Sequence, residues 1–416
     1  MTLQKEAHDN IGKRFAASSA IFLSFIVAFE IAIMISPFAF FFYAVFNPFL
    51  LALNQLSLTR WLTAFFLPHM IVPPNGVLTG IRIFGSIFFV VGMLIFLVCA
   101  SQVYLGKLLK WGVAKKGLYT LIRHPQYLGL GLAALGLAIM WPRFLTLTLF
   151  SVMLFLYYLL AKDEERRMTN RYGESYTAYM NRTGMFLPLA IEKVLTGNQK
   201  PKSLSFGKSC IIFLVLVVVI VGSGFLLRAY TVHHLPLEQV DRVGVITITK
   251  EDLPAATQLL PTVLEDPAIA SKLKSIEDNE SHRLLAYFIP IDYVMQGMIA
   301  NTGTEWKLFE QHKTIGMITE YIFHPFAHLT QEHIHPAGMQ VPNPSMHNSP
   351  AMKRRIIFIE LSTNKKDLKS LFDDFDINIF RKPLFFVDVH LHTGEILQVK
   401  DTPAGSGWGT VPTPMF

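Results

Sequence analysis

Arg123 and His124 stand directly before Pro125 in the stretch LIRHPQYLGLG, which then continues into apolar sequence. A proline there suits the first position of a helix, where its missing N–H is no loss. A helix N-terminus offers free amides and the positive end of a dipole, so an arginine and a histidine beside it form a receptor for an anion such as a carboxylate. Gly129 and Gly131 leave part of the same helix without side chains, where a neighbour or a ligand can approach closely. The two cations would serve equally as anchors snorkelling to lipid headgroups. The stretch alone leaves both readings open.

A second group of charges occurs in LAKDEERRMTNRYGESYTAYMNRTGMFLP, where Asp163, Glu164 and Glu165 follow an apolar run. One reading is a solvated helix end, with the acids offset by Arg166 and Arg167. Carboxylates near a helix C-terminus oppose the dipole, however, so a second reason for them is worth seeking. If the helix continues, three adjacent acids span most of its circumference and at least one faces inward. The runs Gln126–Met140 and Phe144–Leu160 are separated only by Trp141-Pro142-Arg143, which predicts a helix-turn-helix hairpin. That hairpin brings Glu164 and Glu165 to the same mouth as Arg123 and His124. A zwitterion with an amino-acid end and hydroxyl groups would suit such a mouth.

Histidines form a third candidate, since eleven of the fourteen follow Ala229. His324, His328, His333 and His335 cluster, and His347, His390 and His392 lie further on. His324 and His328 have helical spacing, but Pro325 interrupts it. His390 and His392 would share one face of a strand, a usable ligand geometry. No cysteine supports a metal there, and a solvated, hydrogen-bonded set is the simpler reading; no metal is assigned.

These groups must be positioned largely by membrane helices. Of 416 residues, 51% are hydrophobic and only 16% charged, with a mean hydropathy of +0.39, which excludes an ordinary soluble protein. A spanning helix needs about 20 apolar residues. Runs at about Phe15–Phe46, Ile81–Tyr104 and Ser209–Leu227 qualify, and the hairpin completes five crossings. Trp61–Met70 reads as an interfacial helix. The net charge of +7 lies mostly in short loops beside apolar runs, so it sets topology and does not indicate nucleic acid. It places the N-terminus, the Lys107–Arg123 loop and the Arg166–Lys208 segment in the cytoplasm, and everything after Arg228 outside. Cys99 and Cys210 both lie in apolar runs and imply no disulfide framework.

From about Ala229 the composition is that of a globular domain. RVGVITIT and RRIIFIEL read as strands, EWKLFEQHKTIGMITEYIF as an amphipathic helix, and LFFVDVHLHTGEILQVK as a hairpin turning near Thr393-Gly394. The expected architecture is an α-helical integral membrane protein of about five transmembrane segments with a C-terminal α+β globular domain. Residues 1–208 form the membrane part with a cytoplasmic site, 209–228 the last transmembrane helix, and 229–416 an extracytoplasmic domain.

RHPQYLG followed by EERRMTNRYGESYTAYMNRTGMFLP resembles the isoprenylcysteine carboxyl methyltransferase and phospholipid methyltransferase superfamily. The resemblance runs over about Thr79–Pro188. It implies S-adenosylmethionine as methyl donor and a lipophilic or small acceptor (a carboxylate, thiol or amine) reached from the lipid bilayer. It carries over Arg123, His124, Tyr127, Gly129, Gly131, Glu164 and Glu165 as cofactor-site candidates, with Arg123, His124 and Tyr127 nearest the chemistry. Tyr172, Tyr176 and Tyr179 would line or brace the site. Members often have Gly-Pro-Tyr upstream of the arginine, where this chain has Gly117-Leu118-Tyr119, which weakens assignment to a subfamily. The implied location is an integral protein of a bacterial inner membrane. Two alternatives stand beside it: an NADPH-dependent enzyme like the sterol and steroid reductases, which share a related Arg-His-x-x-Tyr segment, and a non-catalytic membrane-anchored sensor that binds a partner through the outer domain.

Overall fold

An apolar run that crosses a bilayer must satisfy its own backbone hydrogen bonds, which favours helix in the long apolar runs. A computed structural model of the protein describes residues 47–69, 71, 73–109, 116–196, 206–274, 282–293, 296–300, 302, 352–362 and 370–402. Three helices are long and apolar enough to cross a membrane, with spans Gly76–Gly106, Phe144–Tyr172 and Gly207–Val232. The expected first span at Phe15–Phe46 lies outside the described residues, as does the amphipathic helix expected at 305–323. Among the described residues, the chain divides into two compact units. One comprises Phe84–Ile139 and Thr148–Ile220, the other Ala44–Ile83, Met140–Leu147 and Val221–Phe416.

Helix α1 is Asn47–Gln55, α2 Gly76–Leu108, α3 Pro125–Met140 and α4 Phe144–Tyr172. The predicted hairpin is therefore α3–α4, and Pro125 is its first helical residue. At about 1.5 Å per residue, the 16 residues of α3 span about 24 Å. The hairpin tip is held by chain from upstream: Phe66 N–H donates to Pro142 O at 2.8 Å and Phe144 N–H to Ala64 O at 3.0 Å. The Arg143 guanidinium is buried there, donating to Thr63 O and stacking 4.2 Å over the Phe65 ring.

That arrangement corrects the expected interfacial helix at Trp61–Met70. Only Arg60–Thr63 is helical, as a 3-10 turn, and Ala64–Leu67 is buried irregular chain. Pro68 disfavours helix at Leu67, and the backbone groups of 64–66 are used by the hairpin tip instead. The short helices α5, Glu174–Met180, and α6, Leu189–Thr196, follow α4, and α7 is Phe206–Val232. Helix α7 continues past Arg228, whose buried guanidinium donates to Phe65 O and, at 2.5 Å, to Phe375 O. A cation thereby sits inside the last turns of an apolar helix with backbone carbonyls as its partners.

The C-terminal region forms a six-stranded mixed sheet in the order β1-β2-β3-β4-β5-β6. Its strands are β1 Leu237–Val240, β2 Val243–Thr247, β3 His282–Pro290, β4 Lys353–Ser362, β5 Phe380–His390 and β6 Ile396–Asp401. Only β2 and β3 run parallel, and the crossover between them carries α8, Leu253–Glu265, and α9, Pro267–Lys274. These helices bury Ala256, Leu260, Val263, Ile269 and Leu273 against alternate residues of the strands, such as Leu284, Ala286 and Phe288. The opposite face is buried too, through Leu285, Tyr287 and Ile289, which explains why β3 reads as a continuous apolar run. The β5–β6 turn falls where expected, with Gly394 at φ +69°.

Asp374 is fully buried beside this sheet, its Oδ1 accepting from Arg283 Nη1 at 3.1 Å and its Oδ2 without a hydrogen-bond partner. Burial raises its carboxyl to about 6, the Arg283 charge opposing only in part. Native protein therefore keeps this proton at pH values where unfolded chain has lost it. Stability contributed by Asp374 is full below about pH 4 and is lost as pH rises to about 6, by on the order of 2–3 kcal/mol. Thermal unfolding of the full chain between pH 4 and 7.5 should show this decline, and Asp374→Asn should flatten it. Identical pH dependence in both proteins would refute the assignment.

Candidate functional site

The site is assembled from the start of α3, the end of α4 and the turn that follows α5. Tyr157, Ala161 and Glu165 recur every four residues along one face of α4, the first two fully or almost fully buried. Continuation of the helix to Tyr172 therefore brings the third member of that stripe inward. Asp163 points elsewhere, pairing with Arg166 at 2.5 Å and Arg167 at 3.1 Å on the exposed side. The solvated-end reading thus describes Asp163, and the inward reading describes Glu165.

Four charged side chains converge. Arg123 Nε donates to Glu165 Oε1 at 2.5 Å, and both side chains are largely buried, at 9% and 12% exposure. His124, 1% exposed, lies between the two glutamates: Nδ1 is 3.5 Å from Glu164 Oε2 and Nε2 is 3.5 Å from Glu165 Oε1. Neither ring nitrogen makes a hydrogen bond. Burial pulls the imidazole pKa down, but the charges and proximity of Glu164 and then Glu165 outweigh it and leave it raised. The two carboxylates on either side thus favour the cationic form of His124. Glu164 is the more open of the pair, at 38% exposure.

Aromatic rings and backbone fix the cations. Tyr127 is buried and stacks on His124 at 5.6 Å and on Tyr157 at 5.2 Å. Arg123 Nη1 donates to Met180 O at 3.1 Å and to Thr183 O. Tyr176 is buried, and its phenol pKa is pushed up by burial and then by the charges of Glu165 and Glu164, so it stays neutral. Tyr179 Oη donates to Tyr119 O at 2.6 Å. These two tyrosines brace the site, whereas Tyr172 is 38% exposed and stacks with Arg171.

The glycines divide. A Cβ on Gly129 would meet Phe96 N at 2.7 Å and Gly92 O at 2.8 Å, so that face is occupied by α2. Of a neighbour and a ligand, the neighbour is what approaches Gly129. Gly131 would place a Cβ 3.6 Å from Leu154, an ordinary contact.

Residues 183–188 fall within the stretch carrying the resemblance but receive no role from it, and 189–192 are not singled out by the sequence; together they close the site. Arg123 N–H donates to Gly184 O at 2.8 Å and His124 N–H to Met185 O at 3.1 Å. Tyr119 and Gln126 were missed as well; Tyr119 Oη donates to Gln126 Oε1 at 2.9 Å beneath the site. In the sheet, His390 ends β5 while His392 lies in the following turn, so the two do not share a strand face; their rings are 6.3 Å apart. Among the described residues of the sheet region no three His, Cys, Asp or Glu side chains form a metal-ligand group. His324, His328, His333, His335 and His347 lie outside the described residues.

Residues 77–175 match the family model of the phospholipid methyltransferases. The match contains Arg123, His124, Tyr127, Gly129, Gly131, Glu164 and Glu165, and ends before Tyr176, Tyr179 and the 183–192 turn. No curated protein and no solved structure matches the chain. Residues 77–175 are thus similar to a methyltransferase family, and three of the described helices are apolar enough to cross a membrane.

Proposed function

We propose that the protein is an integral-membrane methyltransferase that uses S-adenosylmethionine and acts on a lipophilic or small acceptor. The observation that carries this reading is the gathering of Arg123, His124, Glu164 and Glu165 at the open end of the α3–α4 hairpin, inside the segment that matches the family. The residues suit the cofactor: His124 is buried with two ring nitrogens that lack hydrogen-bond partners, and a ligand with a carboxylate and an ammonium complements cations and carboxylates gathered side by side.

In this reading Arg123 and His124 hold the methionyl carboxylate, and Glu164 and Glu165 hold its ammonium or the ribose hydroxyls. Tyr127 keeps His124 in place by stacking. Gly129 acts through the close crossing with α2, and Gly131 leaves the adjoining helix surface open. When bound, S-adenosylmethionine supplies a methyl group on a sulfonium, activated for direct transfer to a nucleophile. The chain's task is then to position the partners in line and keep water out. A carboxylate or thiolate acceptor needs no base, while an amine must first lose a proton. In this reading the cationic loops put the site at the cytoplasmic face, and the acceptor enters from the bilayer.

Calorimetry on the detergent-purified full chain tests the assignment, with S-adenosylmethionine and NADPH titrated in parallel. Binding of the first and not the second is expected. The reverse result would assign the site to a reductase, and binding of neither would leave the sensor reading. Incubating membranes with the methyl-labelled cofactor should then transfer label to a lipid, thiol or protein fraction and so identify the acceptor.

A further inference from the structure

Glu192 lies on α6, outside the segment matched by the family model and outside every motif read from the sequence. Its Oε1 accepts three consecutive backbone N–H groups, from Met185 at 2.6 Å, Phe186 at 3.0 Å and Leu187 at 3.3 Å. Two of the peptide units it holds are the ones that hold the site. The Gly184–Met185 unit donates its N–H to Glu192 and accepts at its carbonyl from Arg123 N–H, 2.8 Å away. The Met185–Phe186 unit donates to Glu192 and accepts from His124 N–H, 3.1 Å away. An amide that donates to a carboxylate is polarised, which makes its carbonyl a stronger acceptor. The turn is shaped around that carboxylate. A Cβ on Gly184 would lie 1.8 Å from Leu187 O and 2.9 Å from Glu192 Cδ, so glycine alone permits the closure. Phe186, carried on the same turn, sets its ring 6.0 Å from that of His124.

We propose that Glu192 is a positioning residue of the site: by clamping the 185–187 amides it fixes the backbone of Arg123 and His124, and so fixes the His124 ring between Glu164 and Glu165. Its bonds to the turn are made to backbone amides. For its effect on cofactor binding the proposal rests on the reading of the site given above; for its effect on His124 it rests on geometry alone. The groups facing that ring are Glu164 and Glu165 from α4, Arg123 from its own segment, Tyr127 from α3 and Phe186 from the turn.

The experiment compares Glu192→Ala and Glu192→Gln in the full chain. The His124 ring is followed by 15N-histidine spectra, with His124→Asn assigning its resonance, and S-adenosylmethionine affinity is measured separately. Glutamine keeps a carbonyl oxygen for the three amides; alanine keeps nothing. Alanine should lower the His124 titration midpoint by roughly half a unit or more as the carboxylates lose their alignment. It should also weaken binding about 10–100-fold, the usual scale for groups that orient ligating residues. Glutamine should remain within roughly fivefold of the parent. A fall in melting temperature with the midpoint unmoved would make Glu192 merely structural and overturn the proposal, as would unchanged midpoint and affinity in the alanine variant. A shifted midpoint in a chain that binds no S-adenosylmethionine would uphold the positioning role and overturn the cofactor reading instead.

Discussion

Glu165→Ala is expected to lower the affinity for S-adenosylmethionine by at least about 100-fold, and Glu164→Ala by much less. The difference follows from their surroundings. Glu165 is 12% exposed and is the direct counter-charge of Arg123 at 2.5 Å, while also facing His124. Its removal leaves two largely buried cations with one remaining carboxylate, and breaking such a pair typically costs about 3–5 kcal/mol. Glu164 is 38% exposed and lies 3.5 Å from His124, where solvent screens it. Substituting both together should abolish binding. The pH profile provides a second readout. The raised His124 pKa favours the folded, cationic site fully below the unfolded value near 6.5. That advantage is lost as pH rises through the folded value. Loss of Glu165 removes one cause of the elevation, so the decline in affinity on the alkaline side should begin at lower pH. Calorimetry across pH 6–9 measures both effects; unchanged affinity in Glu165→Ala would remove Glu165 from the site.

What could be read from the chain beforehand depended on whether a constraint is local. Pro125 marks the start of α3 because its own ring fixes the first helical position, and the hairpin follows from a three-residue break between two apolar runs. At least one of Asp163, Glu164 and Glu165 could be aimed inward because helical geometry alone distributes three adjacent acids around an axis, and the structure shows that Glu165 is one. The failures are of another kind. The Trp61–Met70 segment has apolar content suited to a helix, but its backbone is claimed by a hairpin tip 80 residues away in sequence. Such a partner leaves no periodicity. Glu192 acts on backbone amides, which every sequence contains, so no residue type announces the turn it holds. Alternation placed His392 on the strand with His390 because a turn that begins one residue early is invisible to a period of two. At Gly129, finally, a missing side chain serves a packed helix and a bound ligand equally, and only the opposing helix decides between them.

That opposing helix supplies the second large effect, at Gly92. Gly85 and Gly92 on α2, and Gly129 and Gly136 on α3, are each seven residues apart, and they meet in antiparallel pairs. A Cβ on Gly92 would lie 2.5 Å from Gly129 O and 2.4 Å from Ala133 N, and one on Gly136 would lie 2.6 Å from Gly85 O and 2.5 Å from Phe89 N. The groups in the way are backbone, which no rotamer change can move. In the membrane-spanning reading no hydrophobic drive acts between the helices, so association depends on this close approach of small residues, and the seven-residue period keeps one seam facing the partner. Gly92→Ala must therefore push α2 and α3 apart, at a cost on the order of 2–3 kcal/mol, and valine or leucine should prevent assembly of the hairpin against α2. Gly131→Ala provides the contrast. Its Cβ meets only Leu154 at 3.6 Å, so stability should change by less than about 1 kcal/mol, in the favourable direction if helix propensity dominates. Unfolding of the detergent-solubilised chain compares them directly, and a Gly92→Ala protein as stable as Gly131→Ala would dispose of the seam. Because α3 begins immediately after Arg123 and His124, displacement of the seam should also weaken cofactor binding in whatever Gly92→Ala protein remains folded. In Gly131→Ala, by contrast, stability is preserved, so any loss of binding reports on the ligand at that glycine.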